Sequence, residues 1–309
     1  MATTSWRRLL LLGIFMSTEA LFLSAPTPRV IVTGFSTEVN LCCAKIAAKA
    51  GCDAFTVVPN ERDLWRSRAL MYGRSFADGE ETSKGKRASA VSGVDGIARA
   101  LSTAEAAIVA CDNVSGAPSD RALAALFDNA PKLKHVAMLS TLGGGLPNSP
   151  LAKSLAPAEA TIRRLAESDK KNIEVSIIRV GVLKGGGPGE MVTSGPDAGK
   201  SLSDFGLDKF YYNTLVDLSQ ATGTMAYDRF CVSADVLKGD PLAMPNPLIA
   251  AFTSGSFEAK PTECSRSAAA SALVAAIRRN KGQEFTLSAK AATELPSPAQ
   301  WITMLDNAL

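Results

Sequence analysis

The first residues in this chain with the types and spacing for chemistry are Gly34-Phe35-Ser36-Thr37-Glu38-Val39-Asn40. They follow a β-rich run, Arg29–Thr33 (RVIVT), and open a helical pattern over Thr37–Ala50. A strand-to-helix turn of this kind suits an anion. The backbone can approach a pyrophosphate there, and the helix N-terminus offers free N–H groups and partial positive charge. Gly34 supplies the tight turn, Phe35 lines it, and the Ser36 and Thr37 hydroxyls add donors. The Thr37 Cβ and the Glu38 charge oppose a phosphate. Two readings stay open, a cofactor seat and an empty structural turn.

A second group lies at the end of the run Lys134–Ser140 (KHVAMLS). Ser140 is a candidate catalytic hydroxyl, and Ser140 and Thr141 together are candidate cofactor contacts; an ordinary strand-end turn is the competing reading. Lys153 and Glu159 can face the same cleft. Glu159 also fits the first turn of a helix over Pro157–Asp169, where a carboxylate favours the helix dipole. His135, the single histidine, begins the strand and reads as a packing or surface residue. Glycine triplets at Gly143–Gly145 and Gly185–Gly187 follow two strands at the ends where a doubly wound sheet binds ligands. The six cysteines contain no CxxC pair and lie far from His135, so no metal site is expected. They read as free thiols in a reducing compartment.

The elements that must position these residues alternate regularly. Strands are expected at 29–33, 53–58, 88–92, 106–110, 134–140, 173–180 and 284–288, and helices at 37–50, 94–102, 119–129, 157–169 and 265–279. Ser297 is expected to cap a last helix. The stretch Asn60–Arg87 reads as polar and irregular. Strands alternating with helices imply parallel pairing and right-handed crossovers. Near-continuous apolar strands such as AAIVA suit a sheet covered on both faces. The expected fold is therefore an α/β doubly wound parallel sheet of Rossmann type with a small C-terminal lobe. The βα rhythm breaks over 190–262, where Phe205, Phe210, Tyr211, Tyr212, Tyr227 and Phe230 gather. That segment is expected to be a cap or a protein-interaction surface, with ordinary core of a small lobe as the alternative.

At 309 residues and 46% apolar the chain can bury a sizeable core. Its net charge of +3 comes without blocks of like charge, which excludes a case for nucleic acid.

Several segments resemble the atypical short-chain dehydrogenase/reductases, the NAD(P)-binding, NmrA-like family. Gly34 matches the first glycine of that family's GATGxxG turn, while Thr37 and Asn40 stand at its second and third glycines. HVAMLSTLGG (135–144) resembles its fifth strand. AEATIRRLAESDKKNIEVSIIRVGVL (158–183) resembles its AE-x-x-LR helix and T-I-x-R-P-G strand, with Val180 in place of the proline. SRSAAASALVAAIRRNKGQEFTLS (265–288) resembles its late helix and strand. The resemblance implies a nicotinamide dinucleotide cofactor. The second strand ends Val58-Pro59-Asn60-Glu61-Arg62, with no acid at its end to favour NAD. Arg62 can meet a 2′-phosphate, which leans the choice to NADP, or it is a solvated loop charge. The wider family's Tyr-x-x-x-Lys pair, in which the lysine lowers the tyrosine pKa, does not occur here. The resemblance therefore leaves an NAD(P)H-dependent oxidoreductase without that pair, a non-catalytic plastid assembly factor, or a structural subunit that keeps the fold.

Residues 1–28 read as a targeting segment ahead of a domain spanning 29–309. Arg7 and Arg8 precede an uncharged stretch from Leu9 to Thr18, closed by Glu19. A spanning helix needs roughly 20 apolar residues, so a cleaved leader is expected and no transmembrane helix remains in the mature protein. The arrangement resembles the bipartite plastid leaders of algae with complex plastids. The secretory pathway and a retained N-terminal anchor are the competing readings.

Overall fold

A computed structural model describes residues 27–34, 37–80, 85–111, 117–143, 150–168, 172–185, 230–243 and 259–308. The expected turn residues Phe35 and Ser36 and the aromatics Phe205, Phe210, Tyr211, Tyr212 and Tyr227 lie outside the described residues.

The strands are β1 (Arg29–Thr33), β2 (Asp53–Val57), β3 (Ala88–Val91), β4 (Ala106–Ala110), β5 (His135–Thr141), β6 (Glu174–Val180), β7 (Val182–Lys184), β8 (Ser233–Lys238), β9 (Glu263–Ser265) and β10 (Glu284–Lys290). The helices are α1 (Thr37–Lys49), α2 (Glu61–Tyr72), α3 (Arg74–Ala77), α4 (Gly93–Thr103), α5 (Asp120–Asn129), α6 (Pro150–Ser168), α7 (Arg266–Arg279) and α8 (Pro298–Asn307). Eight strands form one sheet in the order β3-β2-β1-β4-β5-β6-β10-β8. Pairing is parallel throughout except between β10 and β8. The first six strands follow the order of a doubly wound dinucleotide-binding sheet, and the order reverses between β1 and β4. The chain has the doubly wound Rossmann-type fold.

Apolar residues alternate between the two faces because strand side chains alternate. Val30, Val32, Ile108, Ala137, Leu139 and Ile178 pack with α1 and α7 on one face. Ile31, Ala107, Val109, Val136, Met138 and Ile177 pack with α4, α5 and α6 on the other. The alanine-rich α7 is buried along Ser267–Ile277, which lets it lie close against α1 and its Cys42, Cys43 and Ala44.

Two expectations are corrected. Asn60–Arg87 is not irregular, because it contains α2. Asn60 caps that helix by accepting from the Asp63 N–H, Glu61 and Asp63 lie in its first turn, and Gly73 ends it at φ 90°. Its polar composition hides a short buried stripe of Ala69, Leu70 and Met71. Helix α6 begins at Pro150, not at Pro157, so Glu159 lies mid-helix and not in the first turn. Part of the 190–262 segment, β8, joins the main sheet as an antiparallel edge strand, and β7 pairs with β9 in a separate two-stranded sheet.

Candidate functional site

Gly34 sits where β1 ends, at the crevice between β1 and β4. Its φ is +133°, a conformation that L side chains rarely adopt. A Cβ there would overlap the carbonyl oxygen of Ala110 and stand 2.7 Å from its carbonyl carbon. The backbones of the two strand ends therefore meet at a point only glycine can occupy. Asn40, in the first part of α1, is 3% exposed, and its Nδ2 donates to the Gly34 carbonyl at 3.0 Å. Its Oδ1 is buried without a hydrogen-bond partner among the described residues. Arg62 lies in the first turn of α2 and is exposed.

Ser140 and Thr141 end β5. β4 separates β5 from β1, so these residues stand two strand spacings, about 10 Å, from Gly34 along the same sheet edge. Both are buried. The Thr141 hydroxyl has no hydrogen-bond partner among the described residues. The Ser140 hydroxyl donates to Oε1 of Glu159. Glu159 in turn receives two bonds from Arg179, Nη1 to Oε1 and Nη2 to Oε2, each at 2.7 Å. This is the bidentate fork that guanidinium and carboxylate form best.

Arg179 reaches further. Its Nε donates to Glu284 at 2.6 Å and lies 3.6 Å from Asp240, and Nη1 donates to the Thr141 carbonyl at 3.3 Å. Asp240 accepts the Gly143 N–H at 3.1 Å, and Arg163 donates to the second oxygen of Glu284 at 2.9 Å. Five elements, β5, α6, β6, β10 and the turn after β8, thus converge on one cation. Burial alone would lower the pKa of the Arg179 guanidinium; the Glu159 and Glu284 carboxylates outweigh it, and the pKa is raised. Arg179 stays charged and fixed.

The sequence reading missed Arg179, Glu284 and Asp240. The signal was present in β6, where an arginine stands inside the apolar run EVSIIRV; such a charge must find partners when buried. Nothing local names those partners, which come from β10 and the β8 turn.

His135, the tyrosine Tyr72 and the cysteines are placed as follows. His135 is buried on the α7 face and bonds Ser176 through Nε2 at 2.9 Å. Burial brings its pKa down to about 4, against the opposing pull of Glu174 and Asn280. Tyr72 uses its hydroxyl on the backbone of Ala88, accepting from the N–H and donating to the carbonyl at 3.3 Å. All six cysteines are buried, and none is in a disulfide. Among the described residues no group of His, Cys, Asp and Glu is placed to hold a metal, and no helix is long and apolar enough to cross a membrane.

No protein-family model and no curated protein matches the chain. Several solved structures are similar to it. A reductase engineered to attenuate substrate inhibition is 14% identical with a TM-score of 0.49, covering 91% of this chain and 82% of that one. Gre2 from Candida albicans in complex with NADPH is 10% identical with a TM-score of 0.48, covering 85% of this chain and 80% of that one. L-sorbose reductase from Gluconobacter frateurii, complexed with NADPH and L-sorbose, is 16% identical with a TM-score of 0.37, covering 51% of this chain and 70% of that one. These are likenesses of chain path alone.

Proposed function

We propose that this chain binds a nicotinamide dinucleotide, with NADP(H) favoured, as a protein of the atypical short-chain dehydrogenase/reductase kind. The observation that carries the proposal is Gly34. At φ +133°, pressed on the Ala110 backbone, it ends β1 where the strand order reverses. In open α/β sheets ligands bind at that switch point. The residues present fit the group. Glycine at 34 keeps the turn close against the Ala110 backbone, and two buried polar atoms on α1 and at the end of β5, the Asn40 Oδ1 and the Thr141 hydroxyl, have no partner among the described residues.

Gly34, Phe35, Ser36 and Thr37 would hold the pyrophosphate at the N-terminus of α1. Arg62, exposed beyond the end of β2, would meet a 2′-phosphate. Thr141 and Ser140 would stand at the reactive end. A bound nicotinamide supplies or accepts a hydride; this chain's residues bind and orient it. Titrating the purified protein with NADPH and NADH by fluorescence tests the proposal. Saturable binding, tighter for NADPH, is expected, and no binding of either at millimolar concentration ends it.

A second reading is favoured by one observation. The single Ser140 proton is given to Glu159, which Arg179 holds from the other side, so Ser140 offers a ligand acceptor capacity only. With no Tyr-x-x-x-Lys pair in the chain, this suits a non-catalytic protein, such as a plastid assembly factor or structural subunit, that keeps the dinucleotide as a sensed ligand. Dinucleotide binding without turnover of NADPH across a panel of carbonyl compounds would select it. The segment 190–262 would then carry the protein partner, and residues 1–28 would direct the chain to the plastid of an alga with complex plastids. A fluorescent protein carrying residues 1–28 that accumulates outside the cell would reject that destination.

A further inference from the structure

We infer that Glu159 sets the hydrogen-bond polarity of Ser140, so that the ligand group meeting Ser140 is a donor, a hydroxyl or an amine, and not a carbonyl; the inference rests on the reading above in placing a ligand at this sheet edge. A serine hydroxyl has one proton and two acceptor lone pairs. The Ser140 proton goes to Oε1 of Glu159. The two Glu159 oxygens each accept from Arg179 at 2.7 Å, and a carboxylate so held has no proton to return. The fork behind the serine therefore fixes the direction of its bond.

The fork is itself held. The Arg179 and Glu159 side chains are 7% and 9% exposed, and Arg179 also donates to Glu284 and to the Thr141 carbonyl. A charge-assisted hydrogen bond is about twice as strong as a neutral one. A carbonyl that needed the Ser140 proton would have to take it from this buried carboxylate and leave the carboxylate short of a donor. A hydroxyl or an amine needs only a lone pair. No donor among the described residues uses the Ser140 lone pairs, although the residue is 2% exposed. On the other face of β5 the fully buried Thr141 hydroxyl likewise has no partner among the described residues. Both residues end the strand, at the edge where open α/β sheets bind ligands. Sites that polarise a carbonyl aim a donor at its oxygen; Ser140 aims lone pairs.

The test compares cyclohexanol with cyclohexanone, which differ chiefly in whether one oxygen can donate. Dissociation constants come from NMR titration of the backbone amide at position 140, with and without NADP+, in the wild-type chain, in Ser140→Ala and in Glu159→Leu combined with Arg179→Met. The wild type should bind the alcohol about tenfold more tightly than the ketone, the effect of one matched buried hydrogen bond. Ser140→Ala should bring the ratio near one. The double variant replaces the ion pair by apolar side chains, frees the Ser140 proton and should turn the preference toward the ketone. A fork that served packing alone would change the melting temperature and leave the ratio where it was. Should the double variant fail to fold, the wild-type Ser140 hydroxyl proton is the second readout. Bonded to Glu159 it should exchange slowly enough to be observed, and it should move when cyclohexanol is added. Ketone binding as tight as alcohol binding in the wild type overturns the inference, as does a preference that survives Ser140→Ala or a position-140 amide that neither probe moves. NADPH is titrated separately. A chain that binds NADPH and shows no preference loses this inference alone, and a chain that prefers the alcohol without binding NADPH or NADH loses only the dinucleotide reading.

Discussion

At the scale of single residues, the fold hangs on backbone contacts that side chains would spoil. Gly34 and Gly79 both have positive φ, at +133° and +82°, but a Cβ on Gly34 would overlap the Ala110 carbonyl whereas one on Gly79 would meet nothing within 4 Å. The pair separates conformational strain from steric overlap. Gly79→Ala should lose about 1 kcal/mol through strain alone. Gly34→Ala should lose about 3 kcal/mol or more and weaken nucleotide binding as well, because β1 and β4 must part to admit the methyl group. Urea titrations of the two variants would give the difference, and equal midpoints would remove the close approach as the reason for glycine at 34. Gly34 was legible in the sequence, since a β-rich run ended on it. Its neighbour Ala110 was not, because the two meet only through the strand order. Asn40 was noticed only as a missing glycine; its bond to the Gly34 carbonyl needed the turn in three dimensions.

At the scale of elements, Arg179 is the joint between β5, α6, β6 and β10. Arg179→Met would leave Glu159 buried without its bidentate partner, and Glu284 with Arg163 alone of its two arginines. Removing one partner of a buried pair costs about 3–5 kcal/mol. Adding Glu159→Gln should restore much of that, since the stranded charge goes with it, although Ser140 keeps an acceptor. A double-mutant cycle showing no coupling between positions 159 and 179 would contradict the bidentate fork. The opposite end of the edge can be repaired. Thr37 and Glu38 open α1, so Thr37→Gly with Glu38→Ala should tighten NADPH about tenfold, offset in part by the entropy of the new glycine. A folded double variant that still binds no NADPH would mark the turn as structural. Strands and their order of appearance were readable because apolar runs of five to seven residues alternated with helical stretches. Helix α2 escaped because its buried face is narrow and its remaining surface is Arg-, Glu- and Asp-rich. The start of α6 escaped because Pro157, a usual helix opener, is carried inside the helix.

At the scale of the whole molecule, burial silences groups that would otherwise react or titrate. Cys264 has its thiol pKa pushed up to about 12 by burial, and burial also raises Cys43. With all six cysteines buried, a thiol reagent should label none of them in the native chain and all six after denaturation. His135 is the other silenced group, and it links global stability to pH. Its native pKa is about 4, set first by burial, with Glu174 and Asn280 raising it and Arg279 lowering it. In the unfolded chain it returns to about 6.5. Above that value neither state holds the proton and stability is unaffected. As the pH falls from about 6.5 to about 4, the unfolded chain takes up a proton that the native chain refuses. Stability therefore drops by about 1.4 kcal/mol per pH unit, roughly 3 kcal/mol across the window, and this contribution levels off below it. Because the chain has one histidine, the assignment is clean. The imidazole resonance of the native protein should titrate near pH 4, and His135→Gln, which keeps a hydrogen-bonding partner for Ser176, should flatten the stability profile between pH 6.5 and 5. A profile that runs parallel to the wild type through that interval would place the pH dependence on other groups.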